Sequence, residues 1–147
     1  MLDERDRRII EILSKNARVP YSEIAKELGI SDVAVLKRIR KLEARGVIKG
    51  YVARVDPSAI GLGAHSVTGI DVEPDKLFKV IEELKSIPEI KYLALATGDH
   101  MIIAIIYAQD AEKLASIHKR IEEIDGVRSV WPSVILQEFK KEDGLVY

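Results

Sequence analysis

The chain has 147 residues, with 23 Lys and Arg against 24 Asp and Glu for a net charge of −1, and its length suffices for one domain or two small ones with buried cores. It contains no cysteine, which excludes disulfides, cysteine nucleophiles and thiolate metal sites. No apolar run reaches the roughly 20 residues of a membrane span and the charged N-terminus is not a signal peptide, so the sequence points to a soluble, cytoplasmic protein.

The near-neutral total hides a split. Residues 1 to 50 hold 12 Lys/Arg against 8 Asp/Glu, a net +4, whereas the remainder holds 11 against 16, a net −5. Two parts with different partners are expected. Asp3 is placed to cap a helix over about 3 to 15, with Ile9, Ile10 and Leu13 turned inward and Arg5, Arg8 and Lys15 outward. Pro20 then disfavours helix at Val19 and separates this element from a second helix at 22 to 28.

The next residues carry the main functional signal. Ile24, Ala25 and Leu28 recur at helical intervals, Gly29 suits a left-handed helix exit, Ile30 can plug the space between two helices, and Ser31 offers an N-cap for a third helix over 32 to 45. In that helix Val35, Ile39 and Leu42 form one inward stripe. The other side carries Lys37, Arg38, Arg40, Lys41 and Arg45 against only Asp32 and Glu43, five cations against two anions for a net +3. A charge run is ordinarily a solvated face. A short helix, a glycine turn and a projecting basic helix together favour a helix-turn-helix, in which phosphate contacts and counterion release require those cations.

Gly46 closes the third helix, and residues 47 to 55 read as a strand leaving it. Pro57, Gly61 and Gly63 cluster between patterned segments, which sets the division at 1–50 for the DNA-binding domain, 51–63 for a strand linker and 64–147 for a second domain. The second domain is expected to run strand (64 to 72), helix (74 to 86), strand (90 to 98), strand (101 to 108), helix (110 to 124) and strand (127 to 138). Ile81-Glu82-Glu83-Leu84 before Pro88-Glu89-Ile90 is echoed by Ile121-Glu122-Glu123-Ile124 before Asp125-Gly126-Val127. Two such β-α-β halves predict an α+β protein: an N-terminal winged-type helix-turn-helix and a C-terminal ferredoxin-like βαββαβ sandwich. Val67, Leu93, Leu95, Ile103, Ile105, Val134 and Leu136 exceed what two helices can cover, so the free sheet face is expected to pack on another subunit.

With Leu2-Asp3-Glu4-Arg5-Asp6-Arg7-Arg8-Ile9-Ile10 at its start, the segments Ile24 to Ile30 and Lys37-Arg38-Ile39, the exit Gly46-Val47-Ile48-Lys49-Gly50-Tyr51 and the hairpin Thr97-Gly98-Asp99-His100, the chain resembles the Lrp/AsnC (feast/famine) transcriptional regulators, in their archaeal type. The resemblance covers nearly the whole chain. It implies a homodimer built by the second domain, assembly into tetramers or octamers, and binding to pseudo-palindromic promoter DNA. It further implies control of amino-acid metabolism genes or of the chain's own gene, often in response to an amino-acid effector held between subunits.

On this reading Ser31, Asp32, Val33, Leu36 and Lys37 face base edges while Arg38, Arg40 and Lys41 meet phosphates. Leu36 has two readings, contact with a thymine methyl or extra core, because many relatives carry a polar or basic residue there. Tyr21 and Ser22 either bond phosphate at the start of the second helix or simply cap it.

For the effector, the resemblance points to Thr97, Gly98, Asp99 and His100: Gly98 exposes backbone N–H groups to a carboxylate and Asp99 can pair with an ammonium group. An ordinary hairpin turn explains the same residues. Relatives supply several Ser/Thr from the last strand, of which only Ser133 stands in Val130-Trp131-Pro132-Ser133-Val134. An altered or absent effector is therefore the expectation. Trp131 is expected in a core or subunit interface. No cofactor and no metal site is expected. An enzyme is the first rival, but His65, His100 and His118 stand in no catalytic motif; a ligand-binding module without DNA function is the second, and the basic helix argues against it.

Overall fold

The structure is a computed structural model that describes residues 1–141; the last six residues of the expected second domain lie outside the described residues. It separates into two compact units, one of Met1–Arg54 with the described residues Lys140 and Lys141, the other of Val55–Phe139.

The first unit is tri-helical: α1 (Glu4–Lys15), α2 (Tyr21–Leu28) and α3 (Asp32–Ala44). Asp3 caps α1 through a reciprocal box. Its Oδ1 accepts the Asp6 N–H at 2.8 Å while the Asp6 Oδ2 accepts the Asp3 N–H at 3.3 Å, so two orphan donors of the first turn are satisfied. The helices bury Ile9, Leu13, Ile24, Ala25, Val35, Ile39 and Leu42 together, with Ile10, Leu28, Ile30 and Ile48 packed on the outside of that cluster. Arg8 ties α1 to α2 through Glu27 at 2.5 Å.

Helix α3 ends in a Schellman arrangement. Gly46 has φ 69°, its N–H donates to the Glu43 carbonyl at 2.9 Å, and the Val47 N–H donates to the Leu42 carbonyl at 2.9 Å. Beyond it the strand expected at 47 to 55 does not form. A strand needs a ladder partner, and no strand of the sheet pairs with this segment. Local side-chain contacts hold it instead: Ile48 folds onto the helical core, and Tyr51 lies close to Glu43 and Tyr21. Burial first, then the charge of Glu43, raises the Tyr51 phenol above its ordinary pKa. A 3-10 turn at Ser58–Ile60 follows.

The second unit runs β1 (Ala64–Val72), α4 (Leu77–Lys85), β2 (Ile90–Leu95), β3 (Ile102–Ala108), α5 (Ala111–Glu122) and β4 (Val127–Val134). All pairings are antiparallel and the strand order is β2-β3-β1-β4, the ferredoxin-like order. The helix expected from 74 begins as a 3-10 turn, Pro74–Lys76, because the first bonds run from Lys76 N–H to the Glu73 carbonyl and from Leu77 N–H to the Pro74 carbonyl. Strand β2 stops at Leu95, since Ala96 N–H already bonds the Met101 carbonyl and closes the hairpin. Strand β4 tolerates Pro132 because it is an edge strand.

The internal repeat is realised as one exit used twice. Ile87 N–H bonds Leu84 and Ile90 N–H bonds Ile87; likewise Ile124 N–H bonds Ile121 and Val127 N–H bonds Ile124. Each helix thus turns into its strand through two apolar residues that re-enter the core.

Helices α4 and α5 bury one sheet face: Val80, Leu84, Leu114, Ile117 and Ile121 meet Ile70, Val72, Ile102, Ala104, Ile106 and Ala108. Register corrects the expected free face. Leu93 pairs with Ala104, Leu95 with Ile102 and Val134 with Ser66, so all three share the helix-covered side, while Leu136 lies beyond the end of β4. The opposite face carries Val67, Ile103, Ile105, Tyr92, Gly69 and Trp131. Tyr92 is 42% exposed, Val67 38% and Trp131 57%. The covered side also contains a polar trio. His118 Nε2 lies 3.0 Å from the Ser66 hydroxyl and 2.8 Å from that of Thr68, with the two hydroxyls 2.9 Å apart. Burial pushes the His118 imidazole below its ordinary pKa of 6.5.

Candidate functional site

The turn between α2 and α3 is built by three adjacent residues. Gly29 adopts φ 64° and ψ 36°, which a side chain would strain. Ile30 donates its N–H to the Ala25 carbonyl at 3.1 Å and packs against the core, and Ser31 Oγ accepts the Ala34 N–H at 3.1 Å. The acceptor of Ser31 is therefore occupied in capping α3, leaving its O–H free to donate. Helix α2 has no side-chain cap; Tyr21 and Ser22, both exposed, begin its first turn ahead of Glu23, whose N–H already donates to the Pro20 carbonyl at 3.0 Å.

Helix α3 presents Asp32, Val33, Lys37, Arg40 and Lys41 to solvent. Val33 is 68% exposed in the first turn, unusual for a β-branched apolar side chain with no core to reach. Leu36 is half-buried and is not among the side chains packed on the helical core. Among the described residues Lys37, Arg40 and Lys41 make no ion pair, so three cations within two turns remain uncompensated.

Arg38 departs from the expectation. It does not stand free beside Arg40: its guanidinium nitrogen Nη1 reaches back to Asp3 Oδ2 at 2.7 Å and Asp6 Oδ1 at 2.8 Å. These carboxylates raise the guanidinium pKa further, and in turn the Asp6 N–H and then Arg38 hold Asp3 below the usual carboxylate range. A guanidinium flanked by two carboxylates is locally overcompensated, so Arg38 is not a free cation of this face as Lys37, Arg40 and Lys41 are.

In the second unit Thr97, Gly98 and Asp99 form the exposed tip of the β2–β3 hairpin, with Gly98 at φ 118°. His100 leaves them. Its ring lies over Gly69 of β1, where an added Cβ would come within 2.2 Å of Cδ2, and its Nδ1 lies 3.0 Å from Asp71 Oδ2. Asp71 also accepts the Met101 N–H at 3.2 Å and the Ser129 hydroxyl at 3.2 Å, and Ser129 in turn accepts the Trp131 indole N–H at 3.0 Å. The His100 and Trp131 rings stack 5.9 Å apart. The His100 hydrogen bond comes first among the causes that lower the Asp71 pKa.

Ser133 is not brought to the hairpin within one chain. It pairs with Val67, whereas the hairpin end of the sheet is the row of Ile102, Ile70 and Val130. His100 meets Asp71, Gly69 and Trp131, and Ser129 joins the cluster through Asp71 and Trp131. The sequence points to a core or subunit-interface place for Trp131 and to no role for Asp71 and Ser129. Their one trace in the sequence is a polar residue two positions from Gly69 in a strand and a Ser-x-Trp spacing in another, which acquires meaning only through register.

The comparisons with known proteins agree with this architecture. The winged helix-turn-helix DNA-binding family matches residues 2–49, and the Lrp/AsnC ligand binding domain matches residues 66–145. The HTH-type transcriptional regulator LrpA of Pyrococcus horikoshii is 50% identical over 141 residues, covering 95% of this chain and 100% of the relative. The structure of E. coli AsnC superposes with a TM-score of 0.90 at 26% identity, covering 96% of each chain. A Neisseria meningitidis transcriptional regulator in complex with L-Met shares the fold, with a TM-score of 0.92 at 22% identity over 99% of this chain and 96% of that one. No helix among the described residues is long and apolar enough to cross a membrane. A helix-turn-helix with an uncompensated cationic face, joined to a ferredoxin-like ligand-binding domain, places the chain in the Lrp/AsnC family of DNA-binding transcriptional regulators, proteins that regulate rather than catalyse.

Proposed function

We propose that the chain binds pseudo-palindromic promoter DNA through α3, with Lys37, Arg40 and Lys41 as the cationic set. The single observation that carries this is the absence, among the described residues, of any ion pair at these three exposed residues, beside an Arg38 that has two. Asp32, Val33 and Leu36 face base edges, the two apolar side chains suited to thymine methyl groups, and Ser31 adds a hydroxyl donor. Tyr21 and Ser22 contribute phosphate contacts at the first turn of α2. Residues 1–50 act as the reading head, 51–63 as the linker and 64–147 as the assembly domain.

Pseudo-palindromic recognition needs a two-fold partner, and the exposed Val67, Tyr92 and Trp131 on the uncovered sheet face suit a second copy of the chain, from which tetramers or octamers are built. The regulated genes are those of amino-acid metabolism or the chain's own gene, in the cytoplasm. A small-molecule effector fits the ligand-binding family match, and the L-Met complex of the Neisseria fold neighbour favours an amino acid. Thr97, Gly98 and Asp99 are available for it; His100 serves it from the sheet side, and Ser133 can join only from another subunit.

The test is a gel-shift series with DNA from upstream of the chain's own gene at several salt concentrations. Arg40→Glu should weaken binding to every duplex and flatten the dependence of log affinity on log salt by about one phosphate contact or more. An unchanged slope removes Arg40 from the phosphate set. Titration calorimetry against the twenty amino acids tests the effector, and heat from none of them would sink that part.

A further inference from the structure

We propose that Asp3, Asp6 and Arg38 form a positioning clamp that sets how α3 is presented and withdraws one of its cations from DNA. The inference rests on the DNA-binding function of the helix-turn-helix and goes beyond it by assigning a role to α1. Its ground is the way four carboxylate oxygens divide their work. Asp3 Oδ1 and Asp6 Oδ2 close the capping box of α1, and Asp3 Oδ2 and Asp6 Oδ1 are left to grip the same Arg38 nitrogen.

Each function needs the other. The capping box fixes both carboxylates at the helix start, with no side-chain freedom left to lose when Arg38 arrives. Arg38 neutralises two acidic groups that would otherwise stand together at one helix end. The clamp is part-buried: the Arg38 side chain is 28% exposed and that of Asp6 14%, while Asp3 at 54% closes the solvent side. Arg38 precedes Ile39 of the buried stripe, so a guanidinium anchored to the start of α1 fixes the rotation of α3 about its axis. Rotation decides whether Lys37, Arg40 and Lys41 point to one groove.

A simple phosphate role for Arg38 predicts a different salt response from the clamp. The measurement is the slope of log affinity against log salt for a duplex selected from random sequence by the wild-type chain, and for an unrelated duplex. With Arg38→Gln the clamp predicts an unchanged slope on both duplexes, with affinity for the selected duplex lowered about tenfold and the unrelated one little affected. A phosphate contact predicts a slope smaller by about 0.9 on both. With Asp3→Asn/Asp6→Asn the clamp releases a guanidinium beside the DNA, so the slope steepens by about 0.9 and the preference for the selected duplex falls.

The triple variant, with Arg38→Gln added to the two asparagines, separates release of Arg38 from the mere loss of two negative charges. The clamp predicts a return to the wild-type slope; a slope that stays steep overturns it. Should the double asparagine variant fail to fold, Asp3→Asn alone, at the more exposed carboxylate, gives the same direction at smaller amplitude. Arg38→Lys keeps the charge but offers a single point donor, and should restore part of the lost preference at an unchanged slope. A reduced slope with Arg38→Gln, or no effect of Arg38→Gln on either duplex, would also overturn the proposal.

Discussion

The recognition turn and the His100 cluster are assembled over opposite ranges of the chain. Gly29, Ile30 and Ser31 are adjacent, and every bond that shapes the turn closes within five residues. The cluster joins His100 to Asp71 across 29 positions and Ser129 to Asp71 across 58. The first is a property of local backbone chemistry, whereas the second exists only while three strands keep their register. The turn is shaped by bonds between near neighbours in sequence, whereas the hairpin is attached to the sheet by contacts between residues far apart in it.

The largest expected effects break the two units separately. Ile39 and Ile106 are both fully buried, each in its own cluster. Either residue changed to Ala should cost about 2 to 5 kcal/mol, the transfer term plus the cavity. Hydrogen exchange should show protection lost across α1 to α3 for Ile39→Ala and across the sheet for Ile106→Ala. Loss of protection in both units from one substitution would show that they unfold as one body.

Gly69→Ala attacks the long-range site alone. A methyl group there meets backbone-distant but tightly seated atoms of the His100 ring, so the imidazole must leave Asp71, at a cost of about 1 to 3 kcal/mol. Trp131 is the sole tryptophan, and its fluorescence should change as the stacked ring departs. Unaltered fluorescence together with unaltered stability would mean that His100 does not rest where the contacts place it.

The polar trio under the sheet gives a pH dependence that the helical unit lacks. Because burial lowers the His118 pKa in the folded state, the unfolded chain binds more protons as pH falls below 6.5; the stability of the second unit is complete above that value and declines from it downward. The carboxylates with lowered pKa values, Asp71 and Asp125 here, lose their contribution only below their ordinary value of 3.8, so the two losses begin at different pH. His118→Gln should remove the upper window and leave the lower one. Thr68→Val, which deletes one of the two hydroxyls on Nε2, should cost about 1 to 2 kcal/mol at neutral pH.

Much of this was readable from spacing, and the exceptions share one physical cause. Caps, the glycine exit and the three-helix stripe depend on neighbours in sequence, and the strand and helix order follows from periodicity. Arg38 looked like one more cation of a basic face because its partners lie 35 and 32 positions away. Leu93, Leu95 and Val134 looked surplus to the helices because side choice depends on register, which a bulge between Ile90 and Tyr92 shifts in β2. The segment at 47 to 55 has a strand's composition and no partner within the described chain, and composition alone cannot supply a ladder.

The cap of the recognition turn should be the mildest of these sites to alter. Ser31 caps α3 through one hydrogen bond at an exposed position, so Ser31→Ala should cost about 1 kcal/mol. That loss falls on the first turn of α3, which carries Asp32 and Val33. If the turn is stiff because its bonds are local, fraying should lower the preference for the selected duplex while leaving the salt slope, set by Lys37, Arg40 and Lys41 further along the helix, unchanged. Ser31→Asp retains the cap and places a carboxylate at the positive end of the helix dipole, so it should restore stability. It also sets a negative charge against the DNA, so affinity should stay low. Recovery of both together would mean that the hydroxyl of Ser31 faces away from the bases, and that its whole contribution to recognition is the cap.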